Sequence, residues 1–120
     1  HLLHGYSLAF KFTFGCRDLD NKNWAVDFGG LKPLKKWLED QFDHKLCLDI
    51  NDPHLEKFKE LEKLDLAEIR LSDGVGAEKF AEHAFRFADN LITVKTDGRC
   101  FVESVECMEH GANSAIYSKK

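Results

Sequence analysis

The chain has 120 residues, of which 43% are hydrophobic and 32% charged, with ten Phe, two Pro and a net charge of -4. That composition excludes disorder, because it supplies enough apolar surface for the core of one domain, and its acidic balance excludes the positive stripe that displaces counterions from nucleic-acid phosphates. No apolar run approaches the about 20 residues that cross a bilayer, and His1-Leu2-Leu3-His4 lacks the cationic and apolar regions of a signal peptide, so a soluble cytoplasmic protein without nucleic-acid or membrane partners is expected.

Along the chain, Tyr6, Leu8, Phe10, Phe12 and Phe14 alternate with Ser7, Ala9, Lys11 and Thr13, the period of two that predicts a half-buried strand. Residues 15–23 have a turn composition rich in Asp and Asn, and residues 24–28 resume an extended apolar pattern, so the two runs read as a hairpin. After Gly29-Gly30, the spacing of Leu31, Leu34, Leu38 and Phe42 predicts an amphipathic helix, with Pro33 tolerated in its first turn. A second, shorter surface helix is expected over 53–64, where Leu55, Phe58 and Leu61 interleave with Glu and Lys.

Residues 67–71 read as a short strand. Phe80, Ala81, Ala84, Phe85, Ala88 and Leu91 then share one face of a helix over 77–91. Strands over 100–108 and 114–117 complete an α+β order, an antiparallel sheet with helices on one face whose strand edges must be covered; oligomerisation is one way to do so. Cys16, Cys47, Cys100 and Cys107 form no CxxC pair, so neither a zinc ribbon nor a redox motif is indicated, and reduced thiols are expected in a cytosolic setting. Nothing in the chain suggests a second domain.

Four clusters carry chemistry. Asp43-His44 follows the helix ending at Phe42, and a carboxylate beside an imidazole fixes its tautomer and raises its basicity for general acid-base work; by spacing alone a capped or solvated helix end with a surface His is the commoner meaning of such a pair. His4-Gly5-Tyr6 opens the first strand with His4 and Tyr6 on one face, yet zinc needs three or four ligands. Glu109, at the end of an apolar strand, is suited to accept two N–H donors from a flat amidine-like heterocycle such as a guanine or pterin. Glu78 in the first turn of a helix is also what the macrodipole favours without any function.

In order, His1-Leu2-Leu3-His4-Gly5-Tyr6-Ser7, Trp24-Ala25-Val26-Asp27-Phe28-Gly29-Gly30-Leu31-Lys32, Phe42-Asp43-His44-Lys45-Leu46 and Glu109 eight residues before Tyr117 resemble the 6-pyruvoyl-tetrahydropterin synthase family, including its 6-carboxytetrahydropterin synthase branch. The resemblance spans nearly the whole chain. It implies one T-fold domain over 1–120, N-terminally incomplete relative to the family, whose first strand with a zinc His and whose catalytic Cys fall ahead of His1. It further implies a homo-oligomer with active sites between subunits, and a zinc-dependent lyase acting on dihydroneopterin triphosphate, one branch of which serves queuosine biosynthesis.

On that resemblance Asp43 and His44 are catalytic, Glu109 and Glu78 bind the substrate, and His4 is a metal ligand. Two departures accompany it. Tyr6 stands where the family's His-Gly-His triplet has its second His, and a neutral phenol is a poor zinc ligand; Val75-Gly76-Ala77 replaces the Pro and Thr that precede the family's Glu. A T-fold protein that binds a pterin or purine-like ligand without the lyase chemistry is the alternative.

Overall fold

The computed structural model describes residues 3, 5, 7–19, 28–110 and 113–119. The alternating run becomes strand β1 (Leu8–Cys16), while Tyr6 and residues 24–27 of the expected hairpin lie outside the described residues. Phe28, the last residue of that expected second strand, instead opens a short 3-10 helix, Phe28–Leu31, which feeds helix α1 (Lys32–Phe42) with Pro33 in its first turn. The described partner of β1 is the far strand β4 (Cys100–Glu109), antiparallel, and β5 (Ser114–Ser118) adds to the other side of β4.

Two short strands, β2 (Leu46–Asp49) and β3 (Ile69–Ser72), form a second sheet and flank helix α2 (Leu55–Lys63). Their pairing is parallel, Leu46 opposite Ile69 through Asp49 opposite Ser72, a small addition beside the expected antiparallel sheet. The physical reason lies in the connection: two parallel neighbours need a crossover, and α2 supplies it. Leu46-Cys47-Leu48 gave too short an apolar run to read as a strand alone. Helix α2 buries none of its residues, as its polar composition predicts.

Helix α3 runs from Ala77 to Lys95, one turn beyond the predicted end. Packing explains the extension: Ile92 is 2% exposed and belongs to the core with Ala84, Phe85, Ala88, Val102 and Val105, and that burial outweighs the weak helix propensity of Thr93 and Val94. Helices α1 and α3 cover the same face of the sheet, since Leu34 of α1 joins this core and Phe10, Phe12 and Phe14 of β1 pack against it.

The β1–β4 register shifts between Thr13 and Phe14, where Thr13 faces Ser104 and Phe14 faces Val102. Glu103 is therefore the extra residue of a bulge. Asp89 of α3 accepts the Val102 amide at 3.0 Å and ties the helix to that irregularity. Gly15 beside it leaves room for the Phe101 ring, which would have to shift for a Cβ that would lie 2.6 Å from it.

Candidate active site

Near the end of the sheet where β1 begins and β4 ends, a second core cluster forms from Ala77, Phe80, Ala81 and Cys107, with Leu8, Phe10, Phe42 and Cys47 packed on it. Phe42 connects it to α1, its ring 5.1 Å from Phe10 and 5.0 Å from Phe80. One apolar floor thereby anchors three element ends: the C-terminus of α1, the N-terminus of α3 and the end of β4. Those ends carry Asp43-His44, Glu78 and Glu109 respectively.

Asp43 is the C-terminal cap residue of α1, its amide donating to the Glu39 carbonyl, and it leaves the helix in extended conformation. His44 then takes a φ of 55°, a left-handed conformation uncommon outside Gly that costs backbone energy unless the surroundings hold it. The imidazole is 92% and the carboxylate 64% exposed, with Nε2 3.6 Å from Oδ1, beyond hydrogen-bond length. The pair therefore stands in solvent above the apolar floor rather than inside it.

What holds this turn comes from β2 and β3. Arg70 Nε donates to the Asp40 carbonyl at 3.1 Å and Nη2 to the Asp40 carboxylate at 2.9 Å, while Nη2 also lies 3.2 Å from Glu68. Lys45 Nζ bridges the Asp43 carbonyl at 3.3 Å and Glu68 at 3.1 Å. These cations satisfy carbonyls at a helix end that would otherwise be orphaned. The unexpected strand β2 and the expected strand β3 are thus what positions the Asp43-His44 turn.

Glu109 closes β4 opposite Leu8, with its amide donating to the Asn113 carbonyl and the next amide, His110, to Ser7. Glu78 sits in the first turn of α3, after the loop in which Gly76 adopts a φ of 118°. Cys107, two residues before Glu109 on β4 and packed with Ala77 at the start of α3, has no exposed surface. Burial first, then the charges of Glu109 and Glu78, pushes its thiol up to about 11. Both carboxylates thus act on one buried group, an effect that spacing along the chain did not reveal. Among the described residues no hydrogen bond or ion pair joins them to Asp43 or His44.

The loop before α3 is held by its own contacts. Ser72 Oγ donates to the Gly74 carbonyl at 2.8 Å, His83 Nε2 lies 3.0 Å from Asp73 Oδ1, and Lys79 Nζ lies 3.9 Å from Asp73 Oδ2. Lys79 chiefly, and the His83 hydrogen bond next, hold the Asp73 carboxyl below its usual range. A cleft of about 280 Å³ opens here, lined by Trp37, Phe42, Cys47, Arg70, Phe80 and His83 among others. A larger groove of about 560 Å³ between α3 and β5 contains none of the expected site residues.

Among the described residues no group of three or more His, Cys, Asp or Glu is placed to hold a metal ion. His4, the expected ligand, and Tyr6 lie outside the described residues.

The chain matches the family described as 6-pyruvoyl tetrahydropterin synthase across residues 1–120. It belongs to that family. Relatives named 6-carboxy-5,6,7,8-tetrahydropterin synthase share 29% identity over 114 residues in Rickettsia bellii, covering 84% of this chain and 81% of that one. The corresponding protein of Aquifex aeolicus is 32% identical over 59 residues, 49% of this chain and 36% of its own length. An uncharacterized protein from Wolinella succinogenes, known from a crystal structure, superimposes with a TM-score of 0.83 at 19% identity, covering 99% of this chain and 80% of its own. This family member has the α+β T-fold, and no helix among its described residues is long and apolar enough to cross a membrane.

Proposed function

We infer that this protein is a pterin-processing lyase, and that it belongs with the 6-carboxytetrahydropterin synthases rather than the pyruvoyl branch. Family membership over the whole chain carries the first statement, and the names of the relatives support the second. The non-catalytic alternative is not favoured, since those relatives are named as synthases.

Glu109 binds the pterin by accepting two N–H donors on its carboxylate, the bidentate arrangement that gives both energy and orientation. Glu78, whose charge acts on the same buried thiol as that of Glu109, borders that ring site. His44 moves protons at the substrate side chain, and Asp43 orients the imidazole and stabilises its charged form. Their open 3.6 Å contact leaves both groups accessible, and such contacts tighten when substrate enters. Dihydroneopterin triphosphate is the substrate, in the cytoplasm and on a route to queuosine.

Residues 1–120 form one domain of a homo-oligomer with active sites between subunits. Among the described residues, β1 and β5 are the outer strands of the larger sheet. Their outer edges are where neighbouring copies would pair. Zinc held by His4 belongs to this reading through the resemblance alone, and no catalytic step here is routed through it.

His44→Ala is expected to lower turnover by at least about a hundredfold, the usual contribution of a positioned acid-base group, while leaving the circular dichroism spectrum intact. Unchanged turnover would refute the assignment. Glu109→Gln is expected to raise the substrate dissociation constant in the same preparation.

A further inference from the structure

Cys16 and Cys100 close the opposite end of the β1–β4 pair, far along both strands from Glu109 and Leu8. They are direct partners in the antiparallel register. The next rung outward carries the backbone hydrogen bond from the Arg17 amide to the Arg99 carbonyl, 2.9 Å. Rungs alternate in an antiparallel pair, so Cys16 and Cys100 occupy a non-hydrogen-bonded site, where opposed Cα atoms approach to about 4.5 Å. That separation falls inside the window a disulfide accepts.

The side chains meet as well. The Cys16 side chain acts on the Cys100 thiol through a hydrogen bond, although burial is the largest influence on that thiol and pushes it up, with Arg99 pulling the other way. Cys100 has no exposed surface, whereas Cys16 is half-buried at the strand end. Cys16 is therefore the more accessible of the two thiols, and its contact is shielded. Cys47 and Cys107 lie elsewhere, Cys47 on β2 and Cys107 seven residues further along β4.

We propose that Cys16 and Cys100 are a redox modification site, converted by small-molecule disulfides into a cross-strand disulfide that locks the end of β1 onto β4. The Cys16 thiolate attacks one sulfur of the oxidant, forming a mixed disulfide and expelling a first thiolate. The Cys100 thiolate then attacks the Cys16 sulfur and expels the second. Two thiols are oxidised, one external disulfide is reduced, and the two protons pass to the departing thiolates. The bond joins residues far apart in sequence and restricts the unfolded chain accordingly.

The test incubates the full chain with glutathione disulfide, with dithiothreitol-treated protein as reference. Oxidation is expected to remove two titratable thiols, lower the intact mass by two hydrogens, and give one linked peptide containing Cys16 and Cys100 in a non-reducing digest. The unfolding temperature should rise on oxidation and return with dithiothreitol. Cys16→Ala, a mild change at a half-buried strand end, should abolish both the link and the shift. Glutathione retained on Cys16, a link through Cys47 or Cys107, or an unchanged thiol count would each overturn the proposal, and the wild-type chain alone is enough to see any of them.

Discussion

Cys107 shows how a single buried atom group reports on its surroundings. Its thiol is raised to about 11 from an ordinary value of 9.0 by burial and by Glu109 and Glu78. A raised folded-state value means the folded chain keeps the proton that the unfolded chain releases. Stability from this group is therefore complete below the ordinary thiol pKa and is lost as pH rises toward 11, a loss on the order of 2–3 kcal/mol. Urea unfolding across that alkaline window should show the decline, and Cys107→Ala should flatten it relative to wild type. Gly76 makes a different demand: at a φ of 118° an Ala is strained, so Gly76→Ala is expected to cost about 1–3 kcal/mol. Thermal unfolding measures that cost, and pterin affinity should fall in parallel because the same loop sets the start of α3 and Glu78.

At the scale of elements, the site depends on three ends meeting over one aromatic cluster. Phe42 is the last residue of α1 and also the link to Phe10, Phe80 and, edge-on, Trp37. Phe42→Ala removes a half-buried ring and is expected to cost about 2–3 kcal/mol by chemical denaturation, near the low end for such truncations. Because Asp43 and His44 follow directly, turnover should fall by more than the loss of folded protein accounts for. The helices and long strands were legible from periodicity, since Leu34, Phe80, Phe85 and the Phe10-Phe12-Phe14 run each face one core. Strand β2 was not: four residues without clear alternation take their structure from pairing with β3, and the Arg70 and Lys45 contacts that hold the Asp43-His44 turn depend on that pairing.

For the whole molecule, the outer strands of the β1-β4-β5 sheet offer unpaired backbone along their edges among the described residues, and Ile116 of β5 is 66% exposed. Edges of this kind are covered or they aggregate. Light scattering on the purified protein is expected to give a mass several times that of one chain, and Ile116→Lys on β5 should shift the distribution toward smaller species. A wild-type monomer would remove the shared-site part of the proposed function while leaving family membership untouched.

The sequence by itself determined the α+β class, the three helices and the candidate residues, because hydrophobic periodicity and short motifs are local properties of the chain. It named Asp43, His44, Glu78 and Glu109 without showing which of them meet. Only the tertiary structure decided that the charges of Glu78 and Glu109 both act on the buried Cys107 thiol, that Asp43-His44 stands exposed in a left-handed turn clamped from β3, and that Cys16 faces Cys100. Each of those facts depends on strand register or on contacts between residues tens of positions apart, which are set by packing and pairing across the fold rather than by neighbours in sequence.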